Sequence, residues 1–260
     1  MTTMAPRVRG CIPRKGEGLA SVGGVGSTLP PAAAPGERTA GQLVGEAMRL
    51  YGRRLWSSLL IGIPPTVAGI VVAAAVDSGT SRPAALILVL AVGVPALSAS
   101  FVGASVLAAG RRPAGRTLLV AFVLGVLVLL PVPFLATLLV LPGVAWFALF
   151  GLAVPAAVIE DLDVRRALQR AVQLARADYA HAVGSLAAAV IVAVVSAGVL
   201  QFLLVQFGDT AAGLAAFIAV LLLAPVVLLA AALLYFDQAA RAARAARRVG
   251  LVAPRPRRGK

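Results

Sequence analysis

The sequence predicts an all-α fold: a polytopic transmembrane bundle of six helices with interfacial amphipathic helices. Two observations carry this. First, 60% of the 260 residues are hydrophobic and only 13% are charged, roughly half the charge of an ordinary soluble domain. Polar side chains that scarce cannot cover a water-facing surface. A disordered chain is excluded too, because its mark is low hydrophobicity with high charge. Second, apolar stretches of about twenty residues recur along the chain, the length an α-helix needs to cross ~30 Å of hydrocarbon.

Residues 1–38 are rich in Gly, Pro, Ala and Arg and lack apolar periodicity. They read as a disordered leader. Arg7, Arg9, Arg14 and Lys15 are followed by no continuous apolar run, so this is not a signal peptide. The glycines from Gly16 to Gly26 lack the Gly-Lys-Ser/Thr of a phosphate loop. Cys11, the one cysteine, has no internal disulfide partner. From Thr39 to Arg54 the apolar residues Leu43, Val44, Ala47, Leu50 and Tyr51 share one helical face, and Arg49, Arg53 and Arg54 gather at its end. This is the pattern of a short interfacial helix leading into the membrane.

The membrane domain is expected over 39–248, with spans near 55–76, 84–109, 117–141, 143–159, 181–206 and 210–236. Pro142-Gly143 is expected to turn the third span into the fourth, because Pro cannot continue a helix and Gly accepts left-handed geometry. Six full spans are preferred to a re-entrant unit, since 117–159 is about twice one bilayer thickness. The basic residues test that count independently. Of the 24 Lys and Arg, 23 fall in segments that six spans place on one side, and only Arg82 falls on the other. Cytoplasmic loops carry the excess of Lys and Arg, so both termini are expected in the cytoplasm. Twenty-two of the 24 are Arg, a composition typical of a GC-rich genome.

Between the fourth and fifth spans, residues 162–177 form an amphipathic helix. Val164, Ala167, Leu168, Ala171, Val172, Leu174 and Ala175 fill one arc, and Arg165, Arg166, Gln169, Arg170, Gln173 and Arg176 the other. Asp161 and Asp163 stand where an N-cap carboxylate satisfies free amides. Such a helix lies on the cytoplasmic face with its arginines toward lipid headgroups. The plainer reading is a generic connector that obeys the positive-inside rule. Arg241, Arg244, Arg247 and Arg248 follow the last span on one helical side, before a basic disordered tail over 249–260. The tail has no aromatic residue for stacking bases, so nucleic acid is not expected. The candidate anionic-lipid contacts are therefore Arg165, Arg166, Arg170, Arg176, Arg241 and Arg244.

Several of these segments resemble a family. Glu160-Asp161 with Ala167-Leu168-Gln169-Arg170-Ala171-Val172-Gln173-Leu174 resembles the signature of bacterial six-span proteins. These are the YciC-like proteins and the membrane domain attached to some glycerophosphodiester phosphodiesterases. Leu43 to Arg54 is similar to that family's leading helix, Leu141-Pro142-Gly143 to its turn before the fourth span, and Leu234-Tyr235-Phe236-Asp237 to its closing Leu-Tyr-Tyr-Asp. Ala171 stands in place of a small hydroxyl residue, and Phe236 in place of the second Tyr. The resemblance covers roughly residues 40–248. It implies a bacterial inner-membrane protein without known catalysis, because the phosphodiesterase activity belongs to a separate soluble domain.

The residues themselves offer little chemistry. His181 is the one histidine and stands at the start of the fifth span beside Tyr179, so its plain reading is an interfacial polar residue. No nucleophile–base set or carboxylate-rich metal cluster is apparent, and no catalytic residue, metal or cofactor is expected. The span interiors hold no Asp, Glu, Lys or Arg, which argues against ion-coupled transport. Their polar residues are Thr66, Ser98, Ser100, Ser105, Thr137, Ser196, Gln201 and Gln206. Gln201 is the deepest amide, either a packing hydrogen bond or a substrate contact. Pro64, Pro65, Pro95, Pro131, Pro133, Pro155 and Pro225 can kink the spans. Two functions remain. One is a non-enzymatic protein of membrane organisation, assembly or regulation, acting through its basic face on anionic lipid or an unidentified protein partner. The alternative is a passive carrier or lipid-handling protein with a groove between Pro-kinked helices.

Overall fold

The computed structural model describes residues 38–248 except Leu139. The leader with Cys11, the tail from 249 onward and the side chain of Thr137 lie outside the described residues. The fold is an all-α bundle, with six helices long and apolar enough to cross a membrane.

Helix α1 (Ala40–Arg53) opens with a capping box. Thr39 Oγ1 accepts from the Gln42 amide at 3.3 Å, and Gln42 Oε1 accepts from the Thr39 amide at 2.9 Å. Leu43, Val44 and Ala47 share its buried face. That face packs against α10 (Tyr179–Val205) and α11 (Asp209–Arg248), so what it covers is protein and not lipid. The buried Tyr51 hydroxyl has no hydrogen-bond partner among the described residues, and burial raises its pKa above the ordinary phenol value. An unmet hydroxyl costs its desolvation. Tyr51→Phe should therefore leave thermal stability unchanged or raise it by up to about 1 kcal/mol. A loss of that size in a melting assay would show that the hydroxyl is bonded.

The first span is α2 (Leu55–Asp77). The second is α3 (Arg82–Leu88), a π-helical segment (Val89–Gly93) and α4 (Val94–Ala109). The third is α5 (Gly115–Leu129) with α6 (Val132–Leu138), and the fourth is α7 (Val140–Phe150) with α8 (Ala153–Glu160). Helix α9 (Val164–Ala177) precedes α10 and α11, the fifth and sixth spans. Most of the prolines punctuate the helices. Pro133, Pro142 and Pro155 stand in the first turns of α6, α7 and α8, where the missing N–H leaves no bond unmade. Pro131 falls in the break between α5 and α6. The wider π turn just before Pro95 makes room for its ring and keeps the second span continuous. Pro64, Pro65 and Pro225 also lie inside helices. Pro142-Gly143 does not form the expected turn: both residues are helical and belong to α7. The fourth span breaks instead at Gly151, where a Cβ would come within 2.5 Å of the Phe147 carbonyl oxygen.

The spans cross closely where small residues meet. A Cβ on Gly62 would lie 2.2 Å from the Leu221 carbonyl oxygen, and one on Gly125 would lie 2.2 Å from Ser98 Oγ. Ser98 donates to the Phe122 carbonyl at 2.7 Å, tying α4 to α5. Ser100 and Ala104 of α4 are buried, one turn apart on the same helix. Thr66 and Ser105 instead bond back to carbonyls one turn earlier on their own helices, at 2.8 Å each. The core sits toward one end of the bundle, in Leu43, Phe101, the 153–158 stretch, Ala167, Ala171, Leu174 and the 229–235 stretch. Apolar side chains along the rest of α10 are exposed, up to 68% at Phe202. In water that would be a large apolar patch; facing acyl chains it is the ordinary surface.

Candidate functional site

The end of the bundle that holds the core is also its basic end. Because the spans reverse at each connection, the start of α2, the end of α4, the start of α5, the end of α8, all of α9, the start of α10 and the end of α11 gather there. Side-chain bonds across the chain confirm the grouping. Arg111 donates to the Val158 carbonyl from Nε at 3.2 Å and from Nη2 at 2.5 Å. Thr117 donates a short hydrogen bond to the Asp161 carboxylate. Fifteen of the sixteen described arginines lie on segments of this end, and Arg82 begins α3 at the other.

Two polar knots lock this end. The first joins α1, α10 and α11. Asp237 is fully buried, and its Oδ2 lies 2.9 Å from Arg241 Nε and 3.0 Å from His181 Nε2. Arg241 Nη1 reaches Asp178 Oδ2 at 2.8 Å, and Nη2 donates to the Arg38 carbonyl at 3.1 Å. Arg38 in turn forks onto Glu46, at 2.8 and 3.0 Å. Asp178 also caps α10, accepting from the His181 amide at 3.1 Å. His181 Nε2 lies 3.3 Å from Ser185 Oγ and 3.2 Å from Arg241 Nη2. Protonated there, it donates to Asp237; unprotonated, it accepts from Ser185 or Arg241. The second knot joins α8, α9 and α11. Glu160 Oε1 accepts from Arg170 Nε at 2.8 Å and takes a short hydrogen bond from the Tyr235 hydroxyl.

The six arginines expected to meet lipid divide between two environments. Arg165, Arg166, Arg176 and Arg244 are exposed. Arg170 is drawn into the Glu160 pair and Arg241 into the Asp237 knot. Arg166 makes only a long contact of 3.7 Å with exposed Asp163, worth little in high dielectric. The apolar face of α9 again covers protein: Ala167, Ala171, Leu174 and Ala175 are buried against the core. Asp163 caps α9, accepting from the Arg166 amide at 3.4 Å. Asp161 does not share that role as expected. It ends α8 in a left-handed conformation at φ 56° and bonds Thr117.

Sequence alone does not mark His181, Asp178 and Asp237 as partners. The four-residue step from Asp237 to Arg241 was a usable signal, since such pairs are neighbours on a helix. The contact from His181 to Asp237 spans most of two helices and leaves no local trace.

Toward the other end, an open apolar groove of about 570 Å³ runs between α10 and α11, lined by Ala193, Ala197, Gly198, Gln201, Val220 and Leu223 among others. Gln201 makes no side-chain hydrogen bond among the described residues. Among those residues, no three His, Cys, Asp or Glu converge as a metal cage requires. No family model, curated protein or solved structure matches the chain.

Proposed function

We propose that this is a non-enzymatic integral protein of a bacterial inner membrane, with both termini cytoplasmic, that serves membrane organisation, assembly or regulation through its basic end. The observation that carries the reading is the use made of α1 and α9. Both helices spend their apolar faces on the protein core, so the exposed Arg165, Arg166 and Arg176 stand on a braced platform. A rigid basic platform at headgroup level attracts anionic lipid, about 1 kcal/mol per guanidinium near the surface. It also offers a docking face to an acidic protein partner. The short motifs similar to those of the YciC-like proteins fit this reading, since Glu160, Arg170, Tyr235 and Asp237 all brace the platform.

Orientation has a direct test. A periplasm-active reporter fused after Gly208 should be active, and one after Gly115 silent; the reverse pattern overturns the reading. The lipid part has its own measurement. Wild-type protein cut from mixed bilayers in polymer discs should carry a shell enriched in phosphatidylglycerol over phosphatidylcholine. An Arg165→Gln, Arg166→Gln, Arg176→Gln variant should lose that enrichment, and an unchanged shell would leave these arginines as topology signals.

The groove at Gln201 favours a second reading, passive handling of an apolar substrate. An unbonded amide in an apolar, lipid-open groove is a polar handle of the kind ligand sites use. Gly198→Leu would fill the groove and should abolish any lipid-transfer activity while leaving the basic platform intact.

A further inference from the structure

We propose that a groove between α2 and α4 is a seat for one anionic phospholipid, with Arg54 and Arg112 gripping its phosphate. The inference deepens the reading above and rests on it, since it needs the basic end to lie at headgroup level. The groove has a volume of about 330 Å³. Its polar mouth is formed by Arg54, Ser57, Arg111 and Arg112, and its apolar part by Leu60, Ile61, Val106 and Leu107.

Local structure brings these groups together. Arg54 stands at the junction of α1 and α2. Gly110, at φ 64°, ends α4 in the left-handed conformation that Gly adopts freely, and Arg111 and Arg112 follow at once. The three arginines differ in availability. Arg111 spends Nε and Nη2 on the Val158 carbonyl and braces the site against α8. Arg54 and Arg112 have no acidic partner among the described residues.

The chemistry of the site selects its occupant. Two planar guanidinium forks suit a phosphodiester better than a point charge would. The apolar part continues onto the lipid-facing side of α2, where Leu60 is 65% exposed. A free phosphate would leave that part empty, whereas a phospholipid fills both. Basic pockets between spans on the cytoplasmic side take anionic headgroups in this way. Gly103 keeps the groove open, since even a Cβ there would come within 3.3 Å of Ile61 Cγ1.

Native mass spectrometry of the full chain tests the proposal, after high-salt delipidation and titration with phosphatidylglycerol. Wild type should retain one lipid molecule, and Arg54→Gln with Arg112→Gln should weaken retention at least tenfold. Arg165→Gln with Arg166→Gln, on the platform, should weaken retention far less than the Arg54 and Arg112 pair does, and Arg82→Gln at the other end should retain the lipid as wild type does. Gly103→Leu keeps every charge but fills the groove, and should also lose the lipid; it decides the matter if the double Arg variant does not fold. Millimolar inorganic phosphate should not displace the lipid. Retention of none by wild type, or equal retention after Arg54 and Arg112 are neutralised, overturns the seat. Equal weakening by both Arg pairs also overturns it and leaves the basic platform standing. Displacement by phosphate with no effect of Gly103→Leu would make the site a phosphate site and refute the lipid. Inverted reporter fusions would fail the underlying reading itself, which separates the two.

Discussion

Arg241→Ala should be the most damaging single change at the basic end. Its guanidinium is the counter-ion of two carboxylates, fully buried Asp237 and partly exposed Asp178. Removing one partner of a buried pair costs about 3–5 kcal/mol when the remaining charge is left alone; here His181 still contacts Asp237, which moderates the loss. Arg241 is about one-fifth exposed, so the expected loss is near the lower limit, about 3 kcal/mol. For a chain of this size that corresponds to roughly 6–12 °C in melting temperature. Arg241→Lys should recover only part of the loss, because an ammonium cannot span Asp237, Asp178 and the Arg38 carbonyl together. Arg241→Met combined with Asp237→Leu should recover most of it, since apolar replacement of a buried pair is often neutral. Arg165→Ala, on the exposed face, should stay within about 0.5 kcal/mol. Thermal unfolding in detergent, followed by size-exclusion recovery, reads all four. Equal melting of Arg241→Ala and Arg165→Ala would show that the knot contributes no stability.

The second large effect is at Gly62. Its would-be Cβ meets the Leu221 carbonyl oxygen at 2.2 Å and the Pro225 ring at 3.1 Å. A backbone oxygen cannot swing aside, so Gly62→Ala must push α2 and α11 apart. Overpacking of this kind costs about 1–3 kcal/mol. It would also loosen neighbouring contacts between the two helices. Gly69 lies two turns along the same helix with nothing within 4 Å of its would-be Cβ. Gly69→Ala should therefore gain up to about 1 kcal/mol from helix propensity alone. The paired melts share helix, chemistry and assay. If both variants shift in the same direction, the close crossing is not a constraint on the fold.

Residues far apart in the sequence meet at the basic end once the chain folds. Glu160, Arg170, Tyr235 and Asp237 stand apart in the sequence, yet they close two adjoining knots that hold α8, α9, α10 and α11 at one end. Tyr235 and Asp237 are buried, and their partners satisfy polar groups that would otherwise be left unmet.

Bulk hydropathy and local period determined the class of this protein, its six spans and the two amphipathic helices, because each depends only on neighbours along the chain. The alternation of basic segments likewise determined which helix ends belong together, since a span can only reverse the chain. Tertiary structure decided what the amphipathic faces cover. A wheel shows that Ala167, Ala171 and Leu174 share a side but cannot distinguish a lipid neighbour from an alanine-lined helix. It also decided the fate of the arginines. Arg165 and Arg170 look alike in sequence, but only Arg170 finds Glu160 within reach. The contact between His181 and Asp237 depends on charges brought together from distant positions. No local pattern encodes such distances, because buried pairing is satisfied only when the whole bundle closes.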